Sequence, residues 1–481
     1  MGTHARRIQH PLWQIVLSVL AVLAVFVGYI FADAYDIIPG PLTVHQKQYW
    51  SDSQPVRKVV PPAAVEGKLE GGEPIDVAAA QELIDSLVSS PGVGSDVSVV
   101  VMGAKGSVAA EREQDTLRQP ASTLKTLTAA AAALSIDMGS SLQTSTYLIQ
   151  SEDPTPQLVL KGHGDMLLGA GFNDLNHVNG RAGLSSLAQH SAQELKKRSV
   201  TKVRLAYDSS FFGEARSPQG IEQSNPDGIY FTPTSTMAVD EGRVRSNQDR
   251  DANPDGKGVY VPHDESPEAE SARTFMDCLQ GQGITVEGEL SQETIPTDLQ
   301  PVASVESAAL SEIMAYMLRN SDNTIAELFG RLTAVHEGTE NSPKGAVEAI
   351  TRVLTREGVT LDGAHLADCS GLTPGSAVSA AMLTAVQRLA CDGKHGQLAP
   401  LVEGLSVVGL IGTAAERGEG SEPNGLVRVK TGTLDQVTSM SGNVSRLKGG
   451  ILEFAVIVNN PSDMGAAAQA VNTFVSALPR L

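Results

Sequence analysis

Three short segments of this sequence carry the side chains that make a serine reactive. They are Ser122-Thr-Leu-Lys125, Ser321-Asp-Asn323 and Lys430-Thr-Gly432. A serine hydroxyl is a poor nucleophile until a base removes its proton, and a lysine three residues further along a helix can reach that hydroxyl. Each segment alone is a common match, but the three in this order form an active-serine signature. The sequence therefore predicts an enzyme that acylates itself on Ser122.

The residue types predict how the catalytic roles are divided. Lys125 is the predicted base, because burial and a second cation, Lys430, favour the neutral form of a lysine. Ser321 is predicted to hand the proton to the leaving amine. The amide of Asn323 is predicted to hold a peptide group of the substrate.

The strand segment that contains Lys430 is predicted to bind substrate. Its lysine and the hydroxyls of Thr431 and Thr433 suit a carboxylate, and Gly432 lets substrate approach the strand edge. The backbone N–H groups of Ser122 and Thr433 are the predicted oxyanion hole. The sequence predicts no cofactor and no metal site, because it contains neither C-x-x-C nor H-E-x-x-H.

The elements that must position these side chains follow from local patterns. Pro120 introduces a predicted helix from Ser122 to Leu134, which puts Ser122 in the first turn, where the helix dipole favours an alkoxide. A second helix, from about Ser307 to Leu318, leads into Ser321. A strand from Leu426 to Lys430 carries the third segment.

The remaining patterns predict an α+β catalytic domain that is split in sequence. An antiparallel sheet flanked by helices is expected, built from these predicted elements: helix Val77–Leu87, strands Val97–Met102, Ser107–Glu111, Val437–Val444 and Ile451–Asn459, and helix Gly465–Leu478. Residues 73–135 and 302–481 are predicted to form this domain. Residues 136–301 are predicted to be a large α/β insert, with strands Leu158–Leu160 and Val203–Tyr207 and helices Leu184–Lys197 and Glu268–Leu279.

The N-terminus predicts the compartment. Leu12 to Phe31 is 20 residues long and largely apolar, which at 1.5 Å per residue spans roughly 30 Å, about the bilayer core. Arg6 and Arg7 precede it, so the positive-inside rule puts the rest of the chain outside the cytoplasm. Residues 1–31 are therefore predicted to be a cytoplasmic tip and membrane anchor, and residues 32–72 a stalk. A cleaved signal peptide is the alternative.

Charge and cysteine content limit the partners further. The formal net charge of −19 argues against nucleic acid as a partner. Of the three cysteines, Cys369 and Cys391 are close enough in sequence for a disulfide in an oxidising compartment, which would leave Cys278 over. Small buried thiols are the equal alternative.

The flanks of the three segments resemble one family, the D-alanyl-D-alanine carboxypeptidases/endopeptidases of the class C low-molecular-mass penicillin-binding proteins. The resemblance covers about Asp76 to Leu481. The similar segments are Leu405–Thr413 with Arg417, Lys430–Leu434, Asp368–Leu372 and Ala326-Glu327 and, more loosely, Gly162–Asp165, Asp208–Phe211 and Tyr230–Pro233. Met166 follows the first insert segment where the family commonly has proline.

The resemblance implies a penicillin-binding transpeptidase-like domain that hydrolyses peptidoglycan stem peptides. The expected bond is the terminal D-Ala-D-Ala bond, with cross-links as further substrates. β-Lactams are expected to trap Ser122 as a slow acyl-enzyme. The expected location is the bacterial cell envelope, outside the cytoplasm.

Two other functions were weighed against this one. A class A-like β-lactamase shares the three segments, but its E-x-x-L-N deacylating segment does not occur between Asn323 and Lys430. Rapid turnover of penicillin, rather than a long-lived adduct, would favour it. A non-catalytic wall-binding scaffold would leave Ser122 unmodified by penicillin.

Overall fold

The computed structural model describes residues 72–481, apart from gaps at 104, 151–153, 246–252, 257–259, 297 and 418–424, together with residues 20, 22, 27, 29 and 30. The chain divides into two units, Met1–Val59 and Val60–Leu481. Every element and contact given below lies in the second unit. Among the described residues, none of the helices has the length and apolar character needed to cross a membrane. The predicted anchor and stalk lie almost entirely outside the described residues and stay predictions.

The strands fall into an N-terminal pair, a middle group and a C-terminal group. They are β1 Val97–Gly103, β2 Val108–Arg112, β3 Ser141–Ile149, β4 Gln157–Gly162, β5 Asp165–Leu168, β6 Lys202–Asp208, β7 Met237–Val239, β8 Thr285–Gln292, β9 Ala303–Ala309, β10 Ser406–Val407, β11 Val427–Leu434, β12 Val437–Ser445 and β13 Ile451–Asn459.

The helices are concentrated between the middle and C-terminal strands. They are α1 Val77–Ser89, α2 Lys125–Ser135, α3 Leu184–Lys197, α4 Pro267–Gly281, α5 Leu310–Asn320, α6 Asn323–Glu337, α7 Pro343–Arg356, α8 Ala380–Cys391, α9 Ala399–Gly404 and α10 Met464–Ala477. A short 3-10 turn, Ala121–Leu124, directly precedes α2.

A six-stranded antiparallel sheet carries one of the three predicted segments. Its strand order is β10-β11-β12-β13-β1-β2, so strands from both ends of the described chain meet in its middle. Val100 of β1 lies opposite Ala455 of β13, and Lys430 of β11 lies opposite Ser441 of β12. The predicted α+β arrangement, an antiparallel sheet flanked by helices, is confirmed.

Helices cover both faces of this sheet because its central strands alternate between two apolar cores. Val99 and Val101 belong to the core shared with α1 and α10, whereas Val100 faces the core shared with α2 and α8. Successive side chains of a strand point to opposite faces. Each fully buried valine stabilises the fold by about 1.5–3 kcal/mol relative to exposure, so the alternation fixes which helices lie on which face.

Helix α2 lies at the centre of the helical layer on the active-site side. Its alanines, Ala129 to Ala133, are at most 3% exposed, and they let α6, α7 and α8 pack closely around it. The close packing holds the start of α2, and with it Ser122, in one place.

A second sheet, with strand order β8-β6-β4-β3-β9, is built from residues 141–309. Strands β4, β6 and β8 run parallel, and α3 and α4 make the crossovers and cover one face, with Leu187 and Phe275 fully buried. Strand β3 is antiparallel to both β4 and β9. Strands β5 and β7 form a separate parallel pair.

Most predicted elements are displaced by only one to four residues at an end, but two helix starts differ for a structural reason. The helix expected from Ser307 begins only at Leu310, because residues 303–309 extend as β9 and pair with β3. The helix expected from Ser122 begins as a 3-10 turn and becomes an α-helix at Lys125. Both differences arise from tertiary contacts, which local periodicity does not encode.

The disulfide considered between Cys369 and Cys391 is not formed, and all three cysteines are free thiols. Cys369 is buried against Gly330 of α6, where an added Cβ would lie 2.2 Å from its Sγ. Cys391 is the last residue of α8. Of the two alternatives, the buried thiol describes Cys369.

Candidate active site

Ser122 lies on the 3-10 turn that opens α2. The N–H of Lys125 reaches the carbonyl oxygen of Ser122, and in a 3-10 turn residues three apart are eclipsed. This backbone geometry stacks the lysine side chain directly over the serine. The Ser122 side chain is half-buried, whereas Lys125 is fully buried.

The Lys125 amine lies among three oxygens from three distant parts of the chain. Its Nζ is 2.9 Å from Ser122 Oγ, 2.7 Å from Asn323 Oδ1 and 2.7 Å from the carbonyl oxygen of Ser370. Two of these oxygens can only accept a hydrogen bond, and the serine hydroxyl can also donate one. In this arrangement a neutral Lys125 amine is within hydrogen-bond distance of the Ser122 hydroxyl proton.

The turn that carries Ser122 is gripped between two glycines. An added Cβ on Gly432 would lie 2.2 Å from Ser439 Oγ and 2.8 Å from the carbonyl oxygen of Pro120, and one on Gly371 would lie 2.0 Å from the carbonyl oxygen of Ala121. Ala121 itself has a φ of 50°, which is uncommon for a residue with a side chain. Gly432 was expected to make room for substrate. In the structure its bare Cα makes room for the turn that carries the serine.

Ser321 and Asn323 are held at the junction of two helices. Ser321 ends α5 in the left-handed region, with a φ of 57°, and Asp322 caps α6 by accepting a hydrogen bond from Ile325 N–H at 3.0 Å. Asn323 Nδ2 donates to the carbonyl oxygen of Tyr230 at 2.9 Å. With its Oδ1 on Lys125, both ends of the Asn323 amide are engaged.

Lys430 is fully buried on β11 and points at Ser321. Its Nζ is 2.9 Å from Ser321 Oγ and 2.7 Å from the carbonyl oxygen of Thr431. The Thr431 hydroxyl is 2.7 Å from that of Thr413. Thr433 lies two residues further along β11 and is exposed.

The predicted residues therefore form two serine–lysine pairs. Ser122 pairs with Lys125, Ser321 pairs with Lys430, and Asn323 touches the first pair while it flanks the second. Segments that lie up to 308 residues apart in sequence, from Ser122 to Lys430, supply these groups. The prediction that the three segments meet agrees with these contacts.

One contributor to the site was not assigned a role from the sequence: the loop from Asp368 to Thr373. The Asp368 carboxylate is fully buried and accepts hydrogen bonds from four backbone N–H groups, those of Ser370, Gly371, Leu372 and Thr373, at 2.7–3.2 Å. This closed loop aims the Ser370 carbonyl at Lys125. In the sequence, the segment Asp368-Cys-Ser-Gly371 was the signal for this loop. It did not reveal the contact, because the group that touches Lys125 is a backbone carbonyl.

Glu327 is a second contributor to the site, and the sequence assigned it no role. It lies one turn after Asn323 on α6, fully buried, and its Oε1 accepts a hydrogen bond from the N–H of Cys369 at 2.9 Å. Burial, and then the charge of Asp368, raise its pKa to about 8, although Lys125 opposes the shift. Glu327 therefore holds a proton at neutral pH and places no negative charge beside Lys125.

In the turn of His163 and Asp165, both side chains form hydrogen bonds with the backbone. His163 Nδ1 is 3.0 Å from the carbonyl oxygen of Gln143, and Asp165 Oδ1 accepts from the N–H of Leu167 at 3.0 Å. Within the described part of the chain, no three His, Cys, Asp or Glu side chains are grouped so as to hold a metal ion.

This sequence is similar to those of known proteins over most of its length. The sequence model of the D-Ala-D-Ala carboxypeptidase 3 (S13) family matches residues 80–266 and 261–478. Carboxypeptidase DacB of Mycolicibacterium smegmatis is 28% identical over 462 residues, which cover 94% of this chain and 92% of that protein. A carboxypeptidase of Mycobacterium tuberculosis is 27% identical over 391 residues, which cover 79% of this chain and 80% of that protein.

A solved structure shares the fold. The crystal structure of penicillin binding protein 4 from Haemophilus influenzae superimposes with a TM-score of 0.68, over 85% of this chain and 100% of that one, at 19% sequence identity. A second structure of that protein is a complex with a novel β-lactam. At this level of identity the likeness concerns the fold alone.

Proposed function

The chain belongs to the D-Ala-D-Ala carboxypeptidase 3 (S13) family, a family of serine peptidases, and on this premise we propose that Ser122 is the nucleophile that cleaves the D-Ala-D-Ala bond of peptidoglycan stem peptides. One observation carries the proposal. The buried Lys125 Nζ lies 2.9 Å from Ser122 Oγ, and it also contacts Asn323 Oδ1 and the Ser370 carbonyl oxygen, two acceptors that hold its N–H groups.

Acylation begins with proton transfer from Ser122 to Lys125. Burial favours the neutral amine, and the amine takes the hydroxyl proton while the serine oxygen forms a bond to the carbonyl carbon of the penultimate D-alanine. The negative charge that develops on the carbonyl oxygen is stabilised by the N–H groups of Ser122 and Thr433. This assignment of the oxyanion hole is part of the proposal.

The C–N bond then breaks, and the leaving amine of the terminal D-alanine takes up one proton. Ser321 relays it: its hydroxyl, which accepts a hydrogen bond from Lys430, gives its proton to the amine. The proton that Lys125 took from Ser122 replaces it, so that Ser321 is again a hydroxyl and Lys125 is again neutral. Water next attacks the ester on Ser122, and the acyl chain leaves as a carboxylate. One water is consumed for each bond cut. Because the scissile bond of a cross-link also follows a D-alanine, the same steps serve endopeptidase cleavage.

Substrate recognition is assigned to β11 and to Asn323. Lys430 and the hydroxyls of Thr431 and Thr433 suit the terminal carboxylate of a stem peptide. Asn323 keeps a second N–H beyond the one it donates to Tyr230, and that N–H is available to a substrate carbonyl. Gly432 contributes by bringing β11 close to the serine turn.

We also propose that the chain has a split catalytic domain and an inserted domain. The antiparallel sheet draws its strands from residues 97–112 and 406–459, whereas the mixed sheet draws its strands from residues 141–309. This supports residues 73–135 as the first catalytic part. The pairing of β9 with β3 favours an end of the insert near Ala309 rather than at residue 301.

The site of action is proposed to be the cell envelope, outside the cytoplasm, where stem peptides occur. The apolar stretch Leu12–Phe31 and the preceding Arg6 and Arg7 support an uncleaved membrane anchor. Fractionation of cells that produce the full chain tests this. Recovery in the membrane fraction with residue 12 still present supports the anchor, and recovery of a shortened soluble protein supports a cleaved signal.

Incubation of the full chain with purified muropeptides, followed by mass analysis, tests the activity. Loss of one D-alanine from monomeric muropeptides indicates a carboxypeptidase, and conversion of cross-linked dimers to monomers indicates an endopeptidase. Ser122→Ala should do neither. If wild-type protein changes neither substrate, the proposal is wrong.

Labelled penicillin separates this function from the two alternatives. A long-lived adduct on Ser122 is expected, because the slow step is hydrolysis of the acyl-enzyme. Rapid release of hydrolysed penicillin would instead favour a β-lactamase. No labelling of folded protein would favour a non-catalytic scaffold.

A further inference from the structure

A strained turn in the middle of the chain faces the Ser321–Asn323 segment. Asp240, Glu241 and Gly242 follow β7 and have φ values of 47°, 58° and 73° in succession. Only the glycine adopts this region without cost, and such strain persists where surrounding contacts hold it. Glu241 is fully buried, and Arg243, two residues further on, extends its guanidinium towards the junction of α5 and α6.

The Arg243 guanidinium is the centre of a buried polar cluster. Its Nη2 is 2.8 Å from Glu241 Oε1 and 3.1 Å from Asp322 Oδ2, and its Nη1 is 3.1 Å from the Tyr316 hydroxyl. That hydroxyl donates to Glu241 Oε1 at 2.9 Å. The Arg243 side chain is only 9% exposed, so these contacts are largely shielded from water.

Asp322 links this cluster to the catalytic groups. One of its oxygens caps α6 through Ile325 N–H, and the other accepts from Arg243. The residues on either side of it, Ser321 and Asn323, touch the two lysines of the site. A shift of the Asp322 carboxylate therefore moves both.

The same part of the chain contacts the junction at two further points. The carbonyl oxygen of Tyr230 accepts from Asn323 Nδ2 at 2.9 Å, and the N–H of Thr232 donates to Thr324 Oγ1 at 3.0 Å. The Thr232 hydroxyl in turn donates to the carbonyl oxygen of Glu241. Residues 230–243 thus hold the start of α6 at consecutive residues, with contacts from side chains and backbone.

From these contacts we infer that residues 230–243 form a clamp that positions Ser321 and Asn323 for the reaction, with Arg243 as its positioning residue. The inference rests on the proposed function, since it concerns the groups that act in that reaction. Removal of Arg243 leaves Glu241 and Asp322 facing each other without their shared cation. Burial and the Asp322 charge already raise the pKa of Glu241, and Arg243 opposes both effects.

The first test compares the rates at which fluorescent penicillin acylates variants of the full chain. Arg243→Gln should lower the second-order rate constant about 10- to 100-fold, because misplacement by a fraction of an ångström has effects of this size. The fraction of folded protein that is finally acylated should stay near that of wild type, because Ser122 and Lys125 are intact. Arg243→Lys should recover part of the rate, because an ammonium can pair with one carboxylate but not span several acceptors. A purely structural role would lower the acylated fraction and not the rate.

A matched control and a double-mutant cycle test whether Arg243 affects the acylation rate through Asp322. Arg245→Gln removes a guanidinium two residues further along the chain, whose ion pair is with Asp240, a carboxylate that Arg243 also reaches at 3.4 Å, and it should change the rate less than about threefold. Asp322→Asn can still cap α6 but loses the charged partner of Arg243. If the clamp acts through Asp322, combining Arg243→Gln with Asp322→Asn should slow acylation little further. The rate constant of the double variant should lie within about threefold of that of the slower single variant. Multiplicative rate losses, or a wild-type rate in folded Arg243→Gln, would overturn the inference.

Hydrogen–deuterium exchange tests the clamp independently of enzyme activity. Peptides that cover residues 318–328 should exchange at least about tenfold faster in Arg243→Gln than in wild type and in Arg245→Gln, because the α6 cap loses its support. Unchanged exchange there would overturn the clamp. If wild-type protein neither binds penicillin nor releases D-alanine while exchange in Arg243→Gln rises as expected, the proposed function fails and the clamp on this segment stands.

Discussion

At the scale of single residues, the neighbours of Lys125 fit both proton states that the reaction needs. A neutral amine has two N–H groups and one lone pair, so it can donate to Asn323 Oδ1 and to the Ser370 carbonyl while the lone pair faces Ser122. After proton transfer, the third N–H points at the serine oxygen along the same 2.9 Å line. The proton therefore moves with little rearrangement around it, which is how preorganised sites lower a barrier.

The proposed role of Lys125 as the base can be tested by a single substitution. Lys125→Arg keeps a cation and hydrogen-bond donors next to Ser122, but an arginine is not deprotonated in a protein. The rate of acylation by labelled penicillin should fall by at least about 10²–10⁴-fold, the usual contribution of a general base. Stopped-flow or gel-based labelling measures it.

The control for that variant is Lys196→Arg, an exposed lysine of α3 whose Nζ reaches the carbonyl oxygen of Gln282. Its labelling rate should match that of wild type. Circular dichroism of both variants confirms that they are folded. Labelling of folded Lys125→Arg at the wild-type rate would show that Lys125 is not the base.

At the scale of elements, the position of Ser122 depends on the fit between the turn that carries it and β11. Gly432 faces Ser439 across β11 and β12, and both approach the carbonyl oxygen of Pro120, to which the Ser439 hydroxyl donates a hydrogen bond at 2.6 Å. Gly371 closes on the same turn from the Asp368 loop. The position of Ser122 is thus set by backbone contacts from two other elements.

Gly432→Ala tests this close approach. The added methyl would lie 2.2 Å from Ser439 Oγ, so the turn must move away from β11. Overpacking of this kind costs about 1–3 kcal/mol, and the acylation rate should fall about 100-fold because Ser122 and Lys430 separate. Denaturant unfolding and penicillin labelling measure the two effects.

Two further variants control for that result. Gly281→Ala, at the end of α4, adds the same methyl where no atom lies within 4 Å, and its stability and labelling rate should stay close to those of wild type. Ser439→Ala combined with Gly432→Ala removes one of the colliding atoms and should recover part of the rate. Wild-type labelling by Gly432→Ala alone would contradict this account of the turn.

Long periodic elements could be predicted from the sequence because their patterns are local. The helix Leu184–Lys197 and the strand Ile451–Asn459 were predicted with their observed bounds. The start of α5 could not be, because residues 303–309 alternate weakly and become a strand only by pairing with β3. The 3-10 turn at Ser122 was missed for the same reason: it is imposed by contacts with Gly371 and Gly432.

The candidate site was predicted from side chains and missed where the backbone acts. Ser122, Lys125, Ser321, Asn323 and Lys430 carry chemistry that a sequence pattern displays. The carbonyl groups of Ser370 and Tyr230 touch Lys125 and Asn323, but every residue has a carbonyl group. Only the fold decides which of them faces the site.

At the scale of the whole molecule, protons held inside the fold link stability to pH. Burial is the main cause that raises the pKa of Asp165 to about 7, that of Glu327 to about 8 and that of Glu453 to about 7. In the unfolded chain these carboxyls lose their protons near pH 4. The folded state therefore binds more protons than the unfolded state between these limits.

The sign of the pH dependence follows from that difference. Where the folded state binds more protons, the free energy of unfolding falls as pH rises. The stability these groups allow is fully present below about pH 4 and is lost progressively up to about pH 8. Below about pH 6.5 the lowered pKa values of His163 and His263 act in the opposite direction. We expect the melting temperature of the full chain to fall from pH 6.5 to pH 8.5, as measured by calorimetry.

Glu327→Gln isolates one of these protons. A glutamine keeps the acceptor for the N–H of Cys369 and has no proton to lose, so the decline between pH 6.5 and pH 8.5 should shrink by on the order of 2 kcal/mol. Glu348→Gln, on the exposed face of α7, should leave the decline unchanged. An identical slope in Glu327→Gln and wild type would show that Glu327 is ionised in the folded protein at pH 7.

The pairing of β1 with β13 also has a consequence in time. Residues 97–103 come early in the chain, yet one of their two sheet partners is residues 451–459, and the serine turn at residues 121–124 leans on Gly432. A chain still emerging from the ribosome or from the export machinery carries Ser122 and Lys125 long before it carries β11 and β13. Such long-range pairing is also slow to form. We therefore expect the chain to be inactive during its own synthesis. Activity should begin only after more than three hundred residues beyond Ser122 have been synthesised and folded.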